Sequence, residues 1–69
     1  MNELSEFIKN SRKKAHLTQE ELAEKAGVGL RFVRELERGK STLRLDKVDQ
    51  ILQLFGHRLG PIPAERELD

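Results

Sequence analysis

Sixty-nine residues are about half the usual length of one domain, which leaves room for a single small core and argues against a multi-substrate enzyme. Only 4% of the residues are aromatic and 36% are hydrophobic, so the core must be aliphatic, and pairing with a second copy would help it. Charged residues also make up 36%, yet 13 Lys and Arg against 12 Asp and Glu leave a net charge of +1. The sum of charge therefore points to no polyanionic partner, and only its distribution can.

Along the chain, Leu4, Phe7, Ile8, Ser11 and Ala15 recur at helical spacing, with Lys9, Asn10, Arg12, Lys13 and Lys14 largely on the other positions. This predicts an amphipathic helix over about residues 2–15. Thr18 followed by Glu21 is a capping box, so a second helix starts there. Glu20, Glu21 and Glu24 suit its positive end, Leu22, Ala23 and Ala26 supply its inner face, and Gly27 stops it. After a turn, the span from Leu30 to Arg38 carries Val33 and Leu36 on one side and Arg31, Arg34, Glu35 and Arg38 elsewhere, a third short helix ending at Gly39.

A fourth helix follows from Leu45, Val48, Ile51, Leu52 and Phe55, which repeat every three or four residues up to Gly56, with Asp46 in the first turn. Leu54 falls off that stripe and needs another partner. The segment from His57 to Ile62, containing Gly60 and Pro61, is too short for a helix and tolerable as an edge strand. Residues 63–69 are polar and acidic and are expected to be a flexible tail, leaving residues 1–62 as the one folded domain.

Two short helices joined by a tight, glycine-containing turn are a helix-turn-helix signature. The finer spacing agrees: the small Ala23 sits where crossing helices approach most closely, Gly27 sits in the turn, and Val33 and Leu36 are the buried positions of the second helix. A larger residue at Ala23 would push the helices apart, and a Cβ at Gly27 would resist positive φ. The segment LTQEELAEKAGVGLRFVRELERGKS, with its TQEELA run, AGV turn and ELERGK close, resembles the core of the Xre/Cro-type helix-turn-helix regulators. That resemblance covers roughly Ser11 to Gly56. The following RLDKVDQILQLFG and the short extended tail further resemble the HipB-like antitoxin branch.

The resemblance implies an all-α, lambda-repressor-like fold: a compact bundle of four to five short helices, with a short C-terminal extended segment that pairs in a dimer. It places the helix holding Gly29 to Arg38 in the DNA major groove, with Leu30, Arg31 and Glu35 facing the bases and Arg34 beside them. Arg31 suits guanine O6 and N7, Glu35 suits cytosine N4, and Leu30 either touches a thymine methyl or packs. Gln19, Arg38, Lys40, Ser41, Thr42 and Arg44 map onto DNA-backbone contacts. Many relatives carry a hydroxyl at Gly29, where this chain lacks that cap. The resemblance also puts Arg12 and Glu37 inside, as a bridge between the first and third helices. Phe32 is expected to pack, and Lys9, Lys13 and Lys14 either face phosphate or are solvated.

Charge distribution agrees with that placement. From Arg31 to Arg44 there are five basic residues against two acidic, whereas residues 63–69 hold one basic and three acidic. Catalysis finds little support. His16 and His57 lack ligands at metal spacing, Ser5, Ser11 and Ser41 lack a base motif, and Glu20 and Glu21, adjacent on a helix, point in different directions. With no Cys there is no disulfide, thiolate metal site or cysteine nucleophile, and no metal or cofactor is implied. The acidic, interrupted start from Met1 to Glu6 has no signal-peptide core, so a soluble, cytoplasmic protein is expected.

The expected partners are double-stranded DNA and a second copy of the chain. Leu54, Leu59 and Ile62 would be left apolar and unpaired in a monomer, and a two-fold dimer through them would set two recognition helices about 34 Å apart on an inverted-repeat operator. Three readings compete: an antitoxin and autorepressor that binds a HipA-like kinase toxin, a free-standing repressor, and a protein-interaction domain that never touches DNA. The basic, arginine-rich third helix argues against the last.

Overall fold

A computed structural model describes residues 2–64, and among them the chain forms four helices in the order α1 (Glu3–Lys14), α2 (Gln19–Ala26), α3 (Leu30–Glu37) and α4 (Leu45–Leu54). Expectations for the tail fall almost wholly outside those residues. Two helices are started by reciprocal side-chain caps. At α2, Thr18 Oγ1 accepts the Glu21 N–H at 3.0 Å while Glu21 Oε1 accepts the Thr18 N–H at 2.8 Å. At α1, Asn2 Oδ1 accepts the Ser5 N–H at 2.8 Å and Ser5 Oγ accepts the Asn2 N–H at 2.9 Å, so this serine is a buried cap. Neither Gly29 nor Arg44 caps its helix with a side chain, as Gly29 led one to expect for α3.

The buried core is aliphatic and draws on every helix: Ile8, Leu22, Ala23, Val33, Leu36, Val48, Ile51 and Leu52. Phe7, Phe32 and Phe55 pack around its edge. α2 lies against both α3 and α4, and α1 lies against α3. Gln50 adds a polar tie by donating from Nε2 to the Ala26 carbonyl at 3.2 Å, which joins α4 to the last turn of α2.

Three details depart from the periodicity. Leu45, counted on the inner stripe of the fourth helix, is 69% exposed, its neighbours Arg44 and Asp46 are exposed too, and α4 is buried only from Val48 onward. Ala15 is exposed where it closes α1. The segment from His57 to Ile62 forms no strand within the described residues; six residues without a neighbouring strand have no ladder to join. It lies back on its own helices instead. Asp49 Oδ1 accepts the Leu59 N–H at 2.8 Å, Leu59 packs against the core, and the His57 ring meets Phe7 at 4.7 Å between centroids. No described helix is long and apolar enough to cross a membrane.

Candidate nucleic-acid interface

Behind the exposed face of α3 lies a polar cluster that fixes its position. Arg12 on α1 donates from Nε to Glu37 Oε2 at 2.7 Å and from Nη2 to Oε1 at 3.1 Å, and from Nη1 to the Leu17 carbonyl at 2.8 Å. Gln19 Nε2 donates to the same Oε1 at 3.1 Å. Glu37 is only 4% exposed, so its charge is compensated by a two-pronged guanidinium and an amide. One carboxylate thus joins α1, the start of α2 and the end of α3. Among the described residues no buried side-chain nitrogen or oxygen lacks a hydrogen-bond partner.

On the opposite side, α3 and the loop after it present cations. The Arg31 side chain is 91% exposed, and Arg34 and Arg38 are exposed as well. Beyond Gly39 come exposed Lys40, Ser41, Thr42 and Arg44. Two carboxylates organise this surface. Glu35, half-buried at 18%, accepts from Arg31 Nε and from Lys40 Nζ, both at 3.3 Å. Asp46 takes a fork from Arg44, Nε at 3.2 Å and Nη2 at 2.7 Å. Partial burial pushes the Glu35 carboxyl up, but the hydrogen bonds and charges of Lys40 and then Arg31 outweigh it and hold the group below its ordinary value. For Asp46 the Arg44 hydrogen bond is the largest influence, and it too is held low.

Not every residue singled out in the sequence stands on this surface in the same way. Arg31, Arg34, Arg38, Lys40, Ser41, Thr42 and Arg44 form its exposed part. Leu30 is half-buried against the core, in keeping with a packing role, and Gln19 spends its amide on Glu37. Phe32 is half-buried with Lys47 Nζ 5.9 Å from its ring centroid, which joins it to α4. Lys13 and Lys14 are exposed at the end of α1. Of the three apolar residues expected at a dimer interface, Leu54 and Ile62 are exposed, while Leu59 is packed on its own chain.

A shallow groove between α2 and the start of α3 has the opposite sign, being lined by Glu20, Glu21 and Glu24 with Thr18 and Leu30. The basic surface is therefore bounded on that side. The described residues hold no grouping of three or more His, Cys, Asp or Glu side chains placed to bind a metal ion. Sequence reasoning missed two contacts, the distant meeting of Gln19 with Glu37 and the local bridge from Glu35 to Lys40. The second had a signal, since Arg31, Glu35 and Lys40 stand four and five residues apart around the end of one helix.

Two short helices at this turn, with cations displayed by the second, define a helix-turn-helix protein, and the chain belongs to that family in its Xre type: the model for the helix-turn-helix family matches residues 8–59. A relative from Sinorhizobium fredii, named as the uncharacterized HTH-type transcriptional regulator y4mF, is 43% identical over 65 residues. The match covers 93% of this chain and 86% of that protein.

Proposed function

We propose that this protein is a sequence-specific, double-stranded-DNA-binding transcriptional repressor that acts as a homodimer on an inverted-repeat operator. The observation that carries the reading is the display of Arg31, Arg34, Arg38 and Lys40 on one face of α3 and its following loop, while Val33, Leu36 and Glu37 anchor the other. In this reading Arg31 and Arg34 address base edges with Leu30 and Glu35 beside them, and Arg38, Lys40, Ser41, Thr42 and Arg44 hold the phosphates, joined by the backbone at Gln19. The kinship with a protein named as a transcriptional regulator supports the same direction.

Exposed Leu54 and Ile62 support a dimer in which the fourth helices meet. Within this function, the protein is the antitoxin and autorepressor of a HipA-like kinase toxin, a role that rests on the likeness of the sequence after Arg44 to the HipB-like branch. Co-purification with a kinase encoded by a neighbouring gene tests it; a lone gene and no kinase partner would leave a free-standing repressor.

The test of DNA reading is selection of duplexes from a randomised pool, followed by competition binding. Arg31→Ala should relax preference at one base pair of each half-site and cost roughly 1–3 kcal/mol. Lys40→Ala should weaken all sequences alike and reduce the salt slope by about one. Truncation after Gly56 and Leu54→Glu should each weaken the dimer in sedimentation and lower operator affinity. Equal binding of selected and scrambled DNA by the intact protein would refute the reading.

A further inference from the structure

We propose that Glu35 is a specificity-determining positioning residue: by holding the Nε–H of Arg31, it reserves that guanidinium for a base edge and keeps it from pairing with phosphate. The inference rests on the DNA-binding reading above and gives Glu35 a role other than direct contact with cytosine.

The geometry separates the two residues by height. Arg31 is 91% exposed and is the second residue of α3, on the turn that reaches deepest when a helix enters a groove end-on. Glu35 stands one turn later, is 18% exposed, and has each oxygen already accepting from a cation, Oε2 from Arg31 and Oε1 from Lys40. A guanidinium has two usable edges. With Nε engaged sideways, the pair of terminal NH2 groups stays free, and that edge forms two parallel hydrogen bonds to guanine O6 and N7.

The charge matters as much as the geometry. An unrestrained arginine next to DNA is drawn to the nearest phosphate, a contact available on any sequence. A carboxylate beside it both competes with that phosphate and repels it, so DNA without the right base loses more than the operator does. Lys40 keeps two further N–H donors, so it can bind phosphate without leaving Glu35. An exposed pair of this kind adds little to folding. Its effect is expected in discrimination.

The experiment compares four full-length proteins: wild type, Glu35→Gln, Arg31→Ala and the double variant. Each is titrated with the duplex selected by wild type and with its scrambled form, at several salt concentrations, after thermal melts show that all four are folded. Glu35→Gln keeps the shape and removes the charge. It should bind scrambled DNA several-fold more tightly, steepen the salt slope there by up to about one, and lower the operator-to-scrambled ratio about tenfold. The lost preference should fall at the base pair that Arg31→Ala relaxes, and Glu35→Gln should change the ratio no further in the Arg31→Ala background. Additive effects at a different base pair would overturn the proposal in favour of direct contact. An unchanged ratio in Glu35→Gln beside a discriminating wild type would overturn the role of Glu35 alone, whereas a wild type that selects no duplex overturns the DNA-binding reading and this role with it.

Discussion

His16 ends α1 in the same way that Gly27 ends α2. Both have positive φ, 59° and 76°, and both helices are closed by the same pair of backward hydrogen bonds. The His16 and Leu17 amides donate to the Lys13 and Arg12 carbonyls, and the Gly27 and Val28 amides to those of Glu24 and Ala23. Holding an L side chain there costs about 1–2 kcal/mol, although histidine tolerates the conformation better than most. Glycine removes that strain but adds about 0.5–1 kcal/mol of unfolded-state freedom. His16→Gly should therefore stabilise the fold by roughly 0.5–1 kcal/mol, a few degrees in Tm, and His16→Val should lower it. A lower Tm for His16→Gly would show that the imidazole itself contributes.

Breaking the pair behind α3 should be among the costliest single changes. Glu37→Ala leaves the Arg12 guanidinium, 12% exposed, without its counter-charge, a loss of about 3–5 kcal/mol. That is most of the stability of a domain this small. Replacing both partners, Arg12→Met with Glu37→Leu, should cost much less than the two single losses added together. Urea titrations of Arg12→Met, Glu37→Leu and the double variant decide it, and additive losses would mean that no coupling exists.

Exposure divides leucines that look alike in the sequence. Leu36→Ala or Ile51→Ala should cost roughly 2–5 kcal/mol by opening a cavity among fully buried neighbours. Leu45→Ala, in the exposed first turn of α4, should fall within about 0.5 kcal/mol of wild type. Chemical denaturation gives both values, and a Leu45→Ala loss as large as that of Ile51→Ala would place Leu45 in the core.

Acid should loosen the C-terminal segment. The Asp49 carboxyl is held below its ordinary value, first by the Leu59 amide and then by Gln53, with Arg58 adding a weaker attraction. A carboxyl lowered in the folded state stabilises it above the unfolded pKa, and that contribution fades as pH falls from about 4 through the folded value. Glu35 and Asp46 carry the same sign. Asp49→Asn should therefore flatten the acid limb of the stability curve and speed hydrogen exchange at the Leu59 amide at neutral pH. Unchanged exchange there would mean that the carboxylate does not hold the segment.

What could be read from the sequence was what neighbours decide. The Thr18 and Glu21 box, the stop at Gly27 and the inner faces of α2 and α3 are all fixed within one or two turns, and all stand as expected. The pairing of Arg12 with Glu37 came from resemblance and not from spacing, since 25 residues separate them. Ser5 was hidden because serine at the third helical position departs from the usual Glu or Gln of a capping box. His16 was hidden because histidine, although it tolerates positive φ better than most residues, signals it far more weakly than glycine does. The fastening of Leu59 by Asp49 depends on the chain doubling back, which periodicity along one helix does not encode.

α3 has eight residues, two turns, and no side-chain cap at its start. A helix so short has almost no independent existence in water. The proposed reading surface therefore disappears whenever the core opens, which makes occupancy and folding a single linked equilibrium. A duplex present at a hundred times its Kd should add about 2.7 kcal/mol of apparent stability, and melting the protein with and without DNA becomes an affinity measurement. The same linkage disguises damage: under the proposed reading, a substitution in the aliphatic interior will behave in a DNA-binding assay like the loss of a contact residue until its melting temperature is measured.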